Sequence, residues 1–184
     1  MRGGTLGIVT LAELLVAAAA AGVVLAGAVS VLDTGQRVHA VGAARVESQQ
    51  AARVALDRLA RDVRAAGRGP RADFDAVALA EPQRVTLQQD IDGDGVIAAP
   101  GERVTWLLTG DVLRRAAGAG AQPVVEGVRE LSLGYLDRAG VAVAAPGAVR
   151  SVAVVLVVGP VVAARAQAGG FATTLSTRIR LRNR

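Results

Sequence analysis

The sequence has no cysteine, no lysine and a single histidine, His39, among its 184 residues. Without cysteine, disulfides and thiolate ligands are excluded, so packing and backbone hydrogen bonds must hold the fold. His39 has no paired acids or metal-ligand spacing around it, and the chain contains neither a Gly-x-Ser-x-Gly elbow nor a phosphate-binding glycine loop. These absences predict a protein that is not an enzyme, with His39 as an exposed helix residue.

The chain does contain one long apolar run, from Ile8 to Leu32, with a single carboxylate, Glu13, near its start. About 20 apolar residues are enough for a helix that crosses a membrane. An ionised carboxylate in such a helix costs about 2.5–3.5 kcal/mol on insertion scales. Because the run contains no basic residue, the partner of Glu13 is expected to come from another chain.

Two other kinds of N-terminal segment share part of this pattern. A secretory signal peptide has an apolar core of roughly 7–15 residues and a small-residue cleavage site, for which Leu25-Ala26-Gly27-Ala28 could serve. The run is longer than that core and includes Glu13. An uncleaved signal anchor explains the length but gives the carboxylate no role.

The string Thr10-Leu11-Ala12-Glu13-Leu14-Leu15-Val16-Ala17 resembles the N-terminal segment of type IV pilins and type II secretion pseudopilins. In that family a prepilin peptidase cuts after a Gly and methylates the new amine, and a Glu at mature position five pairs with the amine of a neighbouring subunit. The resemblance implies a cleavage region at Gly7, Ile8 and Val9. It implies assembly roles for Glu13, Thr10, Leu11, Leu14 and Leu15. A cut after Ile8 makes Glu13 mature residue five, and a cut after Gly7 makes it residue six.

A helix is expected to continue past the apolar run, because residues 33–66 contain no proline. Toward its end Ala52, Leu56, Leu59, Val63 and Ala66 share one helical face. The other face carries oppositely charged residues four positions apart, among them Arg58 and Asp62. Glycines at 67 and 69 and a proline at 70 end the helix, which is predicted to have about 60 residues. The stretch 47–67 resembles the corresponding helix of PilW-type minor pilins and J-type pseudopilins.

Beyond residue 70 the hydrophobic period changes to two, which predicts strands. The candidates are Ala76–Ala80, Arg84–Gln88, Arg103–Leu108, Val112–Arg115, Val128–Leu136, Val141–Ala144, Ser151–Val158 and Thr173–Leu181. Their short connections favour an antiparallel meander, so the expected class is α+β, with a pilin-like long helix packed on a sheet. The predicted core includes Val104, Trp106, Leu108, Leu131, Leu133 and Tyr135. The expected organisation is a leader (1–8), a transmembrane half-helix (9–32), an amphipathic half-helix (33–69) and a β-rich head (70–184).

The string Asp90-Ile91-Asp92-Gly93-Asp94-Gly95 places carboxylates at alternate positions before a glycine. Such a pattern can supply oxygen ligands to Ca²⁺. An EF-hand is excluded because its twelfth position holds Gly101 rather than Glu. A free-standing calcium loop remains, with Asp90, Asp92, Asp94 and Glu102 as ligands. The alternative, an acidic solvated hairpin loop, is favoured by the imperfect spacing.

Arginines alternate with apolar residues near the C-terminus, at Arg178, Arg180 and Arg182. Three guanidinium groups on one strand face could contact nucleic acid phosphates. Aromatic residues are only 2% of the chain, too few for base stacking. A solvated strand face that is protected from edge pairing by charge is favoured, and no nucleic acid partner is expected.

Together these features predict a minor pilin or pseudopilin, with Glu13 neutralising the amine of a neighbouring subunit. The resemblance implies a single-pass protein of the bacterial inner membrane with an extracytoplasmic head, which later joins a periplasmic or extracellular filament. Its implied partners are other pilin or pseudopilin subunits, the prepilin peptidase and the inner-membrane assembly platform. No cofactor is required, and calcium is the ion that the acidic loop would take. The alternative is a monomeric, membrane-anchored extracytoplasmic binding domain that binds calcium and never polymerises.

Overall fold

The structure is a computed structural model that describes residues 10–70, 73–159 and 172–183. The chain divides into two compact units, Met1–Gly42 and Ala43–Arg184. Within the described residues, a helix and eight strands follow one another along the chain. They are α1 (Leu11–Ala65), β1 (Val77–Glu81), β2 (Arg84–Gln88), β3 (Arg103–Thr109), β4 (Val112–Ala116), β5 (Ala121–Val125), β6 (Val128–Leu136), β7 (Ser151–Val158) and β8 (Thr173–Arg180).

The first unit contains the apolar part of α1. Every residue from Thr10 to Ala40 is exposed, including leucines and valines that soluble domains normally bury. The helix is long and apolar enough to cross a membrane. It ends at Ala65, one turn or less from the predicted end, and its 55 residues are close to the predicted length.

In the second unit, the last turns of α1 pack on the sheets through small residues. Of the predicted apolar face, Ala52, Leu59, Val63 and Ala66 are buried and Leu56 is partly buried. Ala55 and Ala60, which were not predicted, are buried as well. The last helical carbonyls lack intrahelical donors, and the side-chain amide of Asn183 donates to the carbonyls of residues 64, 65 and 66 at 3.1–3.4 Å. The C-terminal segment is therefore tied to the end of the helix.

The first sheet is an antiparallel meander in the order β1-β2-β3-β4-β5. Gly110, with φ +63°, forms the turn between β3 and β4. Strand β5 was not predicted, because Pro123 lies inside it and proline normally argues against a strand. Here β5 is an edge strand, where the missing N–H of proline is tolerated.

The second sheet has the order β6-β7-β8 and is also antiparallel. The predicted strand Val141–Ala144 is wrong. Those residues form only an isolated bridge between Leu136 and Ala142, and Pro146 then starts a short 3-10 helix, Pro146–Ala148. The segment is too short to build a ladder before the proline ends it.

The two sheets and the end of α1 enclose one hydrophobic core. Of the six predicted core residues, five are buried: Val104, Trp106, Leu131, Leu133 and Tyr135. Leu108 is only partly buried and packs against the others. The hydroxyl of Tyr135, on β6, donates to the carbonyls of Glu81 and Arg84 at 2.7 and 3.1 Å, which links the two sheets. The α+β class is confirmed.

An ion pair inside the second unit joins α1 to the first sheet. Asp62 accepts hydrogen bonds from Arg115 Nε at 2.7 Å, from Arg115 Nη2 at 3.1 Å and from Trp106 Nε1 at 2.8 Å. The side chains of Arg115 and Asp62 are only 18% and 15% exposed. Helical spacing suggested Arg58 as the partner of Asp62, but the carboxylate faces the sheet instead.

Candidate functional site

Two groups of carboxylates are candidates for function, and they lie in different units. The first is Glu13, in the opening turn of α1. Its Oε2 atom accepts hydrogen bonds from the backbone N–H of Thr10 at 2.9 Å and from the Thr10 hydroxyl at 3.0 Å. The N–H of Glu13 donates in return to Thr10 Oγ1 at 3.3 Å. This reciprocal arrangement is a capping box, which satisfies backbone donors at a helix start.

The capping box is a role for Glu13 that sequence reasoning missed. The Thr-x-x-Glu spacing is the signal for it, but that signal has meaning only at a helix start. Both Thr10 donors reach the same carboxylate oxygen, Oε2. No described Arg or His side chain forms an ion pair with Glu13.

Large apolar side chains surround Glu13 on the helix surface. The other implied assembly residues, Leu11, Leu14 and Leu15, are 80%, 63% and 61% exposed. A shallow groove of about 380 Å³ runs beside the carboxylate, lined by Ala12, Glu13, Val16, Ala17 and Ala20. The predicted cleavage residues, Gly7, Ile8 and Val9, lie outside the described residues. This part of α1 presents an uncovered apolar surface with one carboxylate.

The second candidate is the loop between β2 and β3, which holds the acidic string. Gly93 and Gly95 have φ values of +83° and +84°, a backbone conformation that glycine adopts readily in tight turns. The carboxylate of Asp90 accepts from the backbone N–H of Gly93 at 2.7 Å and from that of Gly95 at 3.1 Å. The loop is therefore wound around a buried aspartate.

Glu102 organises the other half of this loop. It is fully buried, and it accepts hydrogen bonds from the N–H groups of Ile91 at 2.9 Å, Ala98 at 2.9 Å and Ala99 at 2.8 Å. The Ile91 bond and those from the two alanines outweigh desolvation, so the pKa of Glu102 lies below its usual value. The glutamate is thus held ionised inside the fold.

Three of the four predicted metal ligands come together. Carboxylate oxygens of Asp90, Asp92 and Glu102 lie within 4.8 Å of one another. The Asp94 carboxylate instead accepts the N–H of Val96 at 2.6 Å. A hydrogen bond from the Asp94 N–H lowers the pKa of Asp92. Desolvation and the charges of Asp94, Glu102 and Asp90 act in the opposite direction and together outweigh this bond, so the pKa of Asp92 lies above its usual value. This concentration of negative oxygens matches the chemistry of Ca²⁺ ligands, although backbone donors already satisfy both buried carboxylates.

Neither of the remaining sequence candidates forms a site with other described residues. His39 is exposed on α1. Arg178, Arg180 and Arg182 are exposed and alternate with the buried Ile179 and Leu181, as predicted.

The chain matches no family model and no curated protein.

Proposed function

We propose that the chain is a minor pilin or pseudopilin, a structural subunit that is anchored in the membrane by α1 and assembles into a filament through the same helix. The single observation that carries this proposal is Glu13, a carboxylate in the first turn of α1, where every residue up to Ala40 is exposed. A charge in that setting needs a partner, and the described part of the chain supplies hydrogen bonds but no cation.

The energetics favour a partner from a neighbouring subunit. In an apolar environment an opposite charge close to Glu13 would be attracted far more strongly than in water. A processed N-terminal amine on another subunit would meet this need, while exposed side chains such as Leu11, Leu14 and Val16 would pack between helices. The charge pair would set the register between subunits, and the apolar side chains would supply most of the surface area buried between helices.

This function implies a defined series of partners and locations. The prepilin peptidase would cut the leader near Gly7 to Val9, the assembly platform would extract the subunit from the inner membrane, and other subunits would receive it in the filament. The second unit would remain on the extracytoplasmic side. The chain itself would carry out no turnover.

The capping box makes a sharp experiment possible. Glutamine at the third helical position also completes a capping box, so Glu13→Gln keeps the cap and removes only the charge. We expect Glu13→Gln to be inserted and processed but to be excluded from filaments, as measured by the sheared filament fraction. Glu47→Gln, at an exposed position of the same helix, is the matched control and should assemble normally.

Two results would contradict the proposal. Normal incorporation of Glu13→Gln would show that the carboxylate acts only as a helix cap. An intact Met1 in the membrane-extracted protein, with and without a prepilin peptidase, would remove the processing step, whereas a cut near Gly7 to Val9 with an added methyl group would support it.

A second candidate is a monomeric, membrane-anchored calcium-binding domain. The convergence of Asp90, Asp92 and Glu102 within 4.8 Å favours it. This candidate requires neither processing nor the charge of Glu13, so both experiments above distinguish it from a filament subunit.

A further inference from the structure

The free edges of the two sheets are not alike. Three of the edge strands, β1, β5 and β6, have a shift in register against the neighbouring strand. The shift lies between Val77 and Leu79 in β1 and between Val128 and Glu130 in β6. In β5 it lies between Pro123 and Val125, opposite Arg114 and Leu113 of β4. Bulges and proline at sheet edges prevent the addition of another strand. These three edges are therefore protected by their backbone geometry.

The edge strand β8 has none of these devices. All eight of its residues pair with β7 in continuous register, from Thr173 opposite Val158 to Arg180 opposite Ser151, and it contains neither proline nor glycine. No described strand pairs with its other edge. An edge of eight residues without a bulge can offer its outward N–H and C=O groups to an extended segment.

Charge is what distinguishes this edge. Arg178 and Arg180 lie on the exposed face of β8, and Arg182 follows just beyond it. Arg178 Nε donates to Ser151 Oγ at 3.3 Å, but none of the three arginines forms an ion pair with a described carboxylate. Strand β8 contains two arginines and no carboxylate, so a second copy of this edge would offer these guanidinium groups no opposite charge and is disfavoured.

We propose that β8 is a docking edge for an extended acidic segment of another protein, which adds as a fourth strand to the β6-β7-β8 sheet. The partner's outward residues would be carboxylates opposite Arg178 and Arg180. Its inward residues would be apolar, beside the buried Ile179 and the partly buried Leu175. The recognised sequence therefore alternates acidic and apolar residues. This inference does not depend on filament assembly. A nucleic acid partner is less favoured, since Trp106 and Tyr135 are buried and cannot stack on bases.

The test uses the full chain in neutral detergent micelles and a fluorescein-labelled, capped peptide of alternating valine and glutamate. We expect saturable binding by fluorescence anisotropy. Arg178→Glu with Arg180→Glu should weaken it about tenfold or more, because two attractive cross-strand pairs become repulsive. The same double variant should gain affinity for an alternating valine and lysine peptide. Arg53→Glu with Arg58→Glu, the same charge change on the exposed side of α1, is the matched control and should leave binding unchanged.

Backbone addition is tested separately with the acidic peptide N-methylated at every residue, which leaves no N–H group on either edge for the strand ladder and should not bind. The proposal is overturned if the acidic peptide does not bind, if charge reversal at 178 and 180 has no more effect than the control, or if N-methylation changes nothing. Binding of a short DNA duplex with the same dependence on Arg178 and Arg180, in preference to the peptide, would also overturn it. Urea unfolding followed by Trp106 fluorescence verifies that each variant is folded.

Discussion

Removal of the Asp62 carboxylate should destabilise the second unit more than any other charge deletion on α1. Asp62→Ala eliminates two hydrogen bonds from Arg115 and one from Trp106, with donor–acceptor distances of 2.7–3.1 Å. It also leaves a guanidinium unpaired that is mostly excluded from water. Breaking such a pair costs about 3–5 kcal/mol when it is buried.

The lower end of that range applies here, because Arg115 and Asp62 keep 18% and 15% exposure and water can partly solvate the freed guanidinium. We expect a loss of about 3 kcal/mol in the free energy of unfolding. For a unit of this size that loss lowers the melting temperature by roughly 10 °C. Asp57→Ala, an exposed carboxylate on the same helix, should change stability by less than about 0.5 kcal/mol.

The assay is urea unfolding in micelles, followed by the fluorescence of Trp106, the only tryptophan in the chain. Asp62→Ala combined with Arg115→Met removes both charges and should recover part of the lost stability, because the unpaired guanidinium is gone. Equal stability of Asp62→Ala and Asp57→Ala would refute the reasoning. So would an additive loss in the double variant, since it would mean that the two side chains do not interact.

Two further predictions concern the acidic loop. The pKa of Glu102 is lowered in the folded state, so its ionised carboxylate stabilises the fold above the unfolded pKa of about 4.5, and this contribution is lost as the pH falls through the folded pKa. The Glu102→Gln variant should therefore have a lower free energy of unfolding than the unsubstituted protein at pH 7 and should lose less of it on acidification. Parallel pH profiles of the free energy of unfolding for the two proteins would contradict this. The pKa of Asp92 is raised, so its charge opposes folding at neutral pH, and the Asp92→Asn variant should melt at a slightly higher temperature than the unsubstituted protein without calcium. If the loop binds Ca²⁺, the unsubstituted protein should have the higher melting temperature in millimolar calcium. A variant that still melts at the higher temperature in calcium would argue against a metal role.

Much of the fold was accessible from hydrophobic period alone. Strands β2, β6 and β7 were predicted with the observed bounds. Burial alternates along β6 and β7, whereas four of the five residues of β2 are buried. The errors have local causes. Strand β5 was not predicted because it contains Pro123, and proline normally argues against a strand. The segment Val141–Ala144 has the composition of a strand, but it forms only one isolated bridge.

The candidate sites were less accessible, because spacing along the chain does not give the direction of a side chain. The acidic string identified four candidate ligands, yet only the folded loop brings Glu102 to Asp90 and Asp92 and directs the Asp94 carboxylate to the N–H of Val96. Similarly, helical spacing suggested that Asp62 pairs with Arg58. The observed partner of Asp62 is Arg115, which lies 53 positions away in sequence on strand β4. Long-range pairs of this kind leave no periodic signal.

The sequence by itself determined the long helix, the lone carboxylate in its apolar run, the α+β class and the inward residues of most strands, since each depends on a pattern within one segment. The tertiary structure decided which carboxylates are buried, how the two sheets are linked through Tyr135, and that β8 alone among the described edge strands pairs in continuous register. These properties depend on the register between strands and on contacts between segments that are distant in sequence. Both are fixed only when the helix and the strands pack together in the folded chain.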